Sequence, residues 1–189
     1  MTTLLAMRQL TLRRGGRVLF DGLDLTLEAG QALHLVGPNG SGKSSLIRLA
    51  AGLLDAQSGT VDRAAAALAD DNLALDVERP LRRALRFWAG LSGTASTVDE
   101  AMERLGLTSL GDVPVRLLSS GQAKRASLAR VAASGTPLWL LDEPLNALDA
   151  DGAARLDTLI ADHLAMGGAI LAASHGPMPG PWITMEIGR

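Results

Sequence analysis

Nine consecutive residues, "GPNGSGKSS", have the composition and spacing of a phosphate-binding loop. Glycines at these positions let backbone N–H groups turn toward phosphate oxygens, and the helix that follows adds partial positive charge at its start. The pattern places Lys43 for the β- and γ-phosphates and the Ser44 hydroxyl for Mg²⁺. The alternative is a glycine-rich turn capped by serine, which the preceding apolar strand and the following helix disfavour. The predicted phosphate-binding residues are Gly37, Pro38, Asn39, Gly40, Ser41, Gly42, Lys43, Ser44 and Ser45.

Two adjacent carboxylates follow the apolar segment "LWLL" at 138–141. At the end of a buried strand, Asp142 suits an outer-shell or water-mediated contact to Mg²⁺. Glu143 suits polarisation of an attacking water molecule. The alternative is an acidic helix start, with Pro144 in the first turn. Beside a phosphate-binding loop, we favour the catalytic interpretation.

The chain has three histidines, and one of them follows a buried strand. His175 comes directly after "AILAAS", which is the topological position from which a side chain reaches a γ-phosphate. His34 lies within a strand and His163 within an amphipathic helix, so both are interpreted as structural residues.

The segment "LLSSGQAKRASLAR" at 117–130 combines a Ser-Ser-Gly turn with a helix. Ser119 and Gln122 fit a capping box, in which the two residues satisfy each other's backbone N–H groups. The same N–H groups can also face an anion, so a cap and a phosphate site are compatible interpretations.

Composition narrows the class of protein. The chain has 189 residues, 47% hydrophobic and 20% charged, with a net charge of −2. It is therefore expected to be globular, and the absence of a basic field argues against nucleic-acid binding. No cysteine is present, which excludes disulfides and thiolate metal sites. The longest all-apolar run is "AAAALA" at 64–69, far from the ~20 residues that span a bilayer, so no transmembrane segment is expected.

The pattern of apolar residues predicts an α/β fold. Strands are expected near 4–12, 17–20 and 23–28, then at 32–37, 136–144 and "AILAASH", with a further strand region at "SGTVDRAAAALAD". Helices are expected after the phosphate-binding loop, at "PLRRALRFWAGL", "TVDEAMERLGL" and "GQAKRASLARVAA", and at "DADGAARLDTLIADHLAMGG". Alternation of strands and helices around short apolar runs implies a parallel sheet covered by helices.

Taken together, these motifs resemble the ATP-binding domain of ABC transporters. "GPNGSGKS" resembles its Walker A loop, "LSSGQ" its signature loop (Ser119, Ser120, Gly121 and Gln122) and "LWLLDE" its Walker B strand. "NALD" resembles the D-loop, which ends at Asp149, and His175 resembles the switch histidine. The resemblance implies a P-loop NTPase of ABC type: a mostly parallel sheet, an N-terminal antiparallel β subdomain and a small helical lobe. It also implies a single domain over residues 1–189, with a nucleotide-binding core at 1–75 and 135–189 and the lobe at about 76–134.

The resemblance implies a mechanism as well. Two copies would bind head to tail around ATP and Mg²⁺, with the signature loop of one copy on the ATP held by the other. Catalysis would fall to Glu143, His175 and Lys43, and Mg²⁺ would be held by Ser44 and Asp142. The membrane-spanning subunits would be other chains, which places this one peripherally at the cytoplasmic face of the bacterial inner membrane.

A closer likeness is to the ATP-binding subunit of the haem exporter of bacterial cytochrome c maturation. It rests on "DVPV" before the signature loop, on "LWLLDEPLNALDADG" and on the ending "WITMEIGR". The alternatives are a subunit of another small ABC transporter, a non-transport ABC ATPase acting on nucleic acid, and a weak ATPase that uses ATP only to dimerise.

The sequence departs from the ABC pattern at three places. Where the family has a Q-loop glutamine, Asn72 or Asp71 would have to act, and a water molecule could bridge the shorter Asn side chain. Where the family has an aromatic residue against adenine, the chain has arginines, and we assign Arg14 to nucleotide binding because a guanidinium can stack on a base. Ser120 replaces a glycine in the signature loop.

The helix at "VERPLRRALRFWAGL" is a possible docking surface for a membrane subunit. Phe87 and Trp88, beside Arg82, Arg83 and Arg86, could anchor a short helix from that partner. The favoured alternative is that both aromatic residues belong to the core of the lobe.

Overall fold

The computed structural model describes residues 2–178 and 180–188. Its chain forms two compact units, which are described in turn. The first comprises Met1–Leu68, Thr136–Glu143 and His163–Arg189, and the second comprises Ala69–Gly135 and Pro144–Asp162. The strands are β1 (Thr3–Arg14), β2 (Arg17–Glu28), β3 (Ala32–Val36), β4 (Ser58–Arg63), β5 (Ala66–Ala69), β6 (Leu138–Asp142), β7 (Ala169–Ala173) and β8 (Ile183–Glu186). The α-helices are α1 (Lys43–Ala51), α2 (Leu81–Leu91), α3 (Val98–Arg104), α4 (Ser120–Ala132) and α5 (Ala150–Ala165).

An antiparallel sheet of order β2-β1-β4 occupies the N-terminal part of the first unit. A turn at Gly15-Gly16, between the predicted strands at 4–12 and 17–20, joins β1 to β2, and both glycines have a positive φ, as a tight hairpin turn requires. The prediction of separate strands at 17–20 and 23–28 is wrong, because β2 is continuous. Its pairing shifts register between Leu10 and Leu12, so the polar break at Asp21-Gly22 is a bulge within one strand.

The second sheet has the order β5-β6-β7-β3-β8. Strands β6 and β7 pair in parallel, as do β7 and β3, and β3 and β8. All residues of β6 and β7 are buried, which is why the sequence shows them as short continuous apolar runs. Helix α1 packs on β6 and β7 and ends at Gly52, whose φ of 71° provides the left-handed C-terminal cap. The predicted parallel α/β core is confirmed.

Strand β8 was not predicted from the sequence. Its residues Ile183–Glu186 lie at the edge of the sheet and are mostly exposed, and they alternate apolar and polar side chains over only four positions. Among the strands of the described residues, β8 pairs with β3 alone, and Thr184 lies opposite His34. An alternation of four residues is at the lower limit of the pattern that indicates a strand in a single sequence.

The second unit is mainly helical, and it includes residues 144–162, which the sequence interpretation places in the nucleotide-binding core. Helices α2, α3 and α4 pack on one another, and three single-turn 3₁₀ helices connect or flank them, at Ala95–Thr97, Thr108–Leu110 and Val115–Leu117. Its fully buried side chains include Leu81, Leu85, Met102 and Leu105. The interpretation of Phe87 and Trp88 as core residues is wrong, since they are 54% and 38% exposed. Helix α2 buries Ala84, Leu85 and Ala89 instead.

Candidate functional site

The predicted phosphate-binding loop connects β3 to α1 in the first unit. Gly37, Gly40 and Gly42 have φ values of 149°, 77° and 107°, which residues other than glycine rarely adopt. Space is also restricted: a Cβ atom on Gly42 would lie 2.8 Å from Cζ of Phe20, and one on Gly37 would lie 2.2 Å from the carbonyl oxygen of Ile187. The loop therefore needs glycine for both its backbone conformation and its packing.

Lys43, the first residue of α1, is buried and folds back over this loop. Its Nζ atom donates to the carbonyl oxygens of Gly37 at 2.7 Å and Pro38 at 3.1 Å. The ammonium group and the helix N-terminus are thus concentrated at one place, where both favour an anion.

An oxygen pair lies beside the loop. The Ser44 hydroxyl donates to Oδ1 of Asp142 at 3.1 Å, and Asp142 is buried at the end of β6. Mg²⁺ prefers oxygen ligands, and a hydroxyl and a carboxylate both provide them, so these two residues fit the predicted Mg²⁺ site.

Glu143 and His175 are in contact. Oε1 of Glu143 lies 2.8 Å from Nδ1 of His175, and the Glu143 side chain is 19% exposed whereas that of His175 is 59% exposed. The Glu143 backbone N–H donates to the carbonyl oxygen of Ala173 at 2.8 Å. Its φ of 48° lies in the left-handed region, which costs energy for a residue with a Cβ atom. The carboxyl ends of β6 and β7 therefore bring the predicted catalytic side chains of Glu143 and His175 together.

A cleft of about 430 Å³ in the first unit lies between the β1–β2 hairpin, the phosphate-binding loop and Glu143. Its lining includes the predicted residues Arg14, Asn39, Gly40, Gly42, Lys43, Ser44, Ser45 and Glu143, together with Gly15, Arg17 and Leu19. Arg17 was missed from the sequence, although it pairs with Arg14 across the hairpin turn. The lining contains three positive side chains, of Lys43 and the two arginines, and one negative side chain, of Glu143. The cleft therefore suits a ligand with several negative charges.

The signature residues lie in the second unit and form the predicted capping box. The Gln122 N–H donates to the Ser119 hydroxyl at 3.3 Å, and the Ser119 N–H donates to Oε1 of Gln122 at 2.9 Å. A separate cavity of about 260 Å³ is lined by Ser119, Gly121, Gln122, Arg125, Ala147, Leu148 and Asp149. The signature loop and the D-loop residue Asp149 thus share one cavity. The Asp149 carboxylate also accepts the Gly152 N–H at 2.8 Å, near the start of α5.

Asn72 and Asp71 also lie in the second unit. Nδ2 of Asn72 donates to Oδ2 of Asp70 at 3.1 Å. Asp71 lies 3.9 Å from Nζ of the buried Lys124. The assignment of Asn72 or Asp71 to the Q-loop position stays a prediction.

The first unit therefore has the site of a P-loop ATPase: a glycine loop with its lysine, a serine–aspartate pair and a glutamate in contact with a histidine. The family described as ABC transporter matches residues 20–146, which is more than half of the chain. In the described part of the chain, we find no helix with the length and apolar content needed to cross a membrane.

Two curated relatives are close to the chain over most of its length. The "Cytochrome c biogenesis ATP-binding export protein CcmA" of Sphingopyxis alaskensis is 54% identical over 177 residues, covering 93% of this chain and 91% of the relative. The protein of the same name from Novosphingobium aromaticivorans is 55% identical, covering 88% and 85%. This chain accordingly belongs to the ABC transporter ATP-binding family and, within it, to the family of these CcmA proteins.

Solved structures agree on the fold. A structure titled "Structure of ATP binding subunit of ABC transporter" has a TM-score of 0.84 at 22% identity and covers 92% of this chain and 80% of its own. A putative ABC transporter ATP-binding protein from Pyrococcus furiosus has a TM-score of 0.83 at 19% identity and covers 97% and 96%. The chain is an ATP-hydrolysing subunit of ABC type, and this membership implies nucleotide binding, dimerisation and membrane partners.

Proposed function

We propose that this chain hydrolyses ATP to drive the export step of cytochrome c biogenesis, with haem or its chaperone as the cargo of the whole complex. It would act at the cytoplasmic face of the bacterial inner membrane, as a peripheral subunit. The likeness to CcmA relatives supports the process, and the contact between Glu143 and His175 beside the phosphate-binding loop supports the chemistry.

ATP binding is assigned to residues 37–45. Their backbone N–H groups and Lys43 would surround the β- and γ-phosphates, while Arg14 and Arg17 face the same cleft. On phosphate binding, Lys43 would exchange its bonds to the Gly37 and Pro38 carbonyls for phosphate oxygens. Arg14 would lie against the base, in place of an aromatic ring.

Hydrolysis is assigned to Glu143 and His175. Glu143 would accept a proton from a water molecule as that water attacks the γ-phosphorus, the bond to the bridging oxygen would break, and ADP would leave with the electron pair. His175 would contact the γ-phosphate and, through its bond to Oε1 of Glu143, fix the direction of that carboxylate. The 2.8 Å contact is the observation that carries this assignment.

Mg²⁺ would be held by Ser44 and Asp142, which are already 3.1 Å apart. Bound there, it would neutralise negative charge on the phosphates. Asn72 or Asp71 would take the Q-loop position.

The second copy would supply the signature loop. Ser119, Ser120, Gly121 and Gln122 would lie against the ATP of the partner copy, with the N-terminus of α4 directed at its γ-phosphate. Asp149, which shares their cavity, would act at the same interface.

The membrane partner would dock on the exposed side of α2. Phe87 is 54% exposed and has the Arg79 guanidinium 5.8 Å from its ring centroid, while Trp88 has Arg130 at 5.4 Å. Aromatic residues flanked by arginines are frequent anchors of protein interfaces. Replacing Phe87 by Ser should reduce co-purification of the membrane subunits, whereas Val18→Ser, at an exposed apolar residue of the hairpin, should not.

The decisive experiment compares wild type with Glu143→Gln in ATPase and size-exclusion assays with the membrane subunits present. The amide cannot accept the proton of water, so we expect hydrolysis to fall at least ~100-fold while ATP binding persists and a dimer accumulates. Hydrolysis at the wild-type rate would refute the role of Glu143. A wild-type complex that binds ATP without hydrolysing it would support the dimerisation-only alternative.

A further inference from the structure

Two arginines bind the C-terminal end of helix α3 in the second unit. The helix ends at Arg104, and Gly106 follows with a φ of 64°, the left-handed conformation that closes many helices. The last carbonyl groups of an α-helix have no partner within the helix itself. The groups that bind these carbonyls therefore show which elements are attached to the end of α3.

The carbonyls at this helix end are bound by backbone groups first and then by side chains. Three backbone N–H groups turn back onto the helix: Leu105 donates to Ala101 at 3.2 Å, Gly106 to Glu103 at 3.0 Å and Leu107 to Met102 at 2.7 Å. The next two carbonyls accept bonds from arginines. Nη1 of Arg155 donates to the Arg104 carbonyl at 3.2 Å, and Nη1 of Arg125 donates to the Leu105 carbonyl at 3.3 Å. Both guanidinium groups also oppose the partial negative charge of the helix C-terminus.

Gly106 provides the space for the two guanidinium groups. A Cβ atom at this position would lie 3.2 Å from Nη1 of Arg125 and 3.3 Å from Cζ of Arg155. Glycine is therefore required here for the approach of both side chains as well as for the positive φ. The two arginines come from different helices, Arg125 from α4 and Arg155 from α5.

These two helices begin at the loops assigned to the dimer site. Helix α4 begins directly after Ser119 of the signature loop, and α5 begins directly after Asp149 of the D-loop. Arg125 lines the cavity of about 260 Å³ that Ser119 and Asp149 share. Nε of Arg155 donates to Oδ2 of Asp151 at 2.7 Å, which fastens this arginine to the first turn of α5. Because each helix is a stiff element, binding both to adjacent carbonyls of α3 fixes the separation of the two loops.

We propose that Arg125 and Arg155 are positioning residues for the dimer site: at the end of α3 they hold Ser119 and Asp149 at the separation that the ATP of a partner copy requires. This inference rests on the proposed function, in which the signature loop engages that ATP. The cleft that binds a copy's own ATP is made by other residues, in the first unit. Loss of either arginine should therefore slow turnover without changing the affinity of one copy for ATP.

The first test replaces Arg125 and measures turnover by the complete complex. Arg125→Met removes the guanidinium and keeps the aliphatic part of the side chain. We expect it to lower kcat at least ~5-fold, the effect of losing one hydrogen bond from a charged donor. The Kd of a fluorescent ATP analogue for the full chain should stay within twofold of wild type. Arg125→Lys keeps a charged donor and should retain more turnover than Arg125→Met.

Arg104 supplies the matched control for loss of an arginine. It lies at the same end of α3, and its side chain pairs with the exposed Asp162 of α5. Surface ion pairs contribute little to stability, so Arg104→Met should keep kcat within twofold of wild type. An equal loss of kcat in Arg104→Met and Arg125→Met would overturn the proposal, because any change of charge at this helix end would then suffice.

The second test displaces the guanidinium groups without altering them. Gly106→Ala places a methyl group against both arginines and should lower kcat at least ~3-fold. Gly93→Ala is its control, because Gly93 follows α2 with a φ of 73° and a Cβ atom there would meet no described atom within 4 Å. The two variants should lose similar stability in urea denaturation, but Gly93→Ala should keep wild-type kcat. If Gly106→Ala also kept wild-type kcat while Arg125→Met lost it, a positioning role would be refuted.

Failure of this inference can be told apart from failure of the proposed function. Ser120 is exposed at the start of α4, so Ser120→Arg places a bulky side chain at the signature loop without disturbing the core. It should abolish turnover, and full activity of this variant would show that the loop does not engage the ATP of a partner. If Ser120→Arg is inactive while Arg125→Met and Gly106→Ala are fully active, only the positioning role is wrong.

Discussion

Backbone strain at Glu143 can be measured by comparing alanine with glycine at this position. The φ of 48° places Glu143 in the left-handed region, where a Cβ atom approaches the following carbonyl oxygen. Glycine lacks that atom. Both variants also lack the carboxylate that contacts His175, so the difference between them isolates the backbone term.

The expected magnitude follows from two opposing contributions. Relief of the left-handed conformation stabilises the folded glycine variant by about 1–2 kcal/mol relative to alanine. The greater freedom of glycine in the unfolded chain offsets about 0.5–1 kcal/mol of this. We therefore expect Glu143→Gly to be about 0.5–1 kcal/mol more stable than Glu143→Ala, which corresponds to a Tm about 1–4 °C higher for a chain of this size.

Urea and thermal denaturation of the two variants provide the measurement. Ala154, exposed in the middle of helix α5, provides the control with the opposite sign. There, Ala154→Gly should lower stability by about 1 kcal/mol, because a helix interior disfavours glycine. Loss of stability on going from alanine to glycine at position 143, as at position 154, would contradict a strained backbone at Glu143. Neither variant at 143 should hydrolyse ATP, since a strain-free backbone does not replace the carboxylate.

Three further predictions concern the nucleotide loop, the signature cap and pH. Gly42→Ala should weaken binding of a fluorescent ATP analogue at least ~10-fold. A residue with a Cβ atom is strained by about 1–3 kcal/mol at a φ of 107°, and this Cβ would also lie 2.8 Å from the Phe20 ring. If replacing Phe20 by Leu in the Gly42→Ala variant restored binding, the contribution of backbone strain would be contradicted. Ser119→Ala should cost about 1 kcal/mol in urea denaturation through loss of the cap, whereas Ser120→Ala, at an exposed neighbouring position, should cost under ~0.5 kcal/mol. Burial lowers the pKa of His163 below 6.5 in the folded chain, so the unfolded chain binds the proton more strongly and the free energy of unfolding decreases as the pH falls through 6.5 toward the folded value. His163→Phe should lose less stability than wild type between pH 7.5 and pH 5.5, and an equal loss would argue against a buried neutral His163.

Features encoded by neighbouring residues could be predicted from the sequence. The glycine spacing of the phosphate-binding loop, the Gly15-Gly16 hairpin and the Ser119–Gln122 capping box each depend on residues a few positions apart, and each is present in the structure. Local conformation decides such motifs, so tertiary contacts have little opportunity to override them.

Features that depend on strand register could not be predicted. His34 lies opposite Ala172 because β3 and β7 pair in parallel at this register. A single sequence specifies neither that partner nor that register, and it therefore shows His34 only as one residue of an apolar strand. Arg17 is a different case, because its pairing with Arg14 across the Gly15-Gly16 turn is local and could have been found from the sequence.

The environment of Trp88 shows the limit of helical periodicity. Leu81, Ala84 and Leu85 are buried, and a position seven residues after Leu81 would ordinarily follow them into the core. Ala89 takes that place instead, and the Arg130 guanidinium lies over the Trp88 ring at 5.4 Å. The exposed fraction of an amphipathic side chain thus depends on which neighbour covers it, and periodicity does not supply that information.

The serine at position 120 raises the question of which signature residue must be small. A Cβ atom on Gly121 would lie 2.8 Å from the backbone carbonyl oxygen of Ala147, so this position tolerates no side chain. Ser120 is exposed, is the first residue of α4, and has no positive φ, so neither packing nor backbone conformation requires glycine there. In this chain the steric demand for glycine therefore lies at 121, which the sequence retains. The serine adds a hydroxyl at the helix N-terminus, where an anion would accept its hydrogen bond.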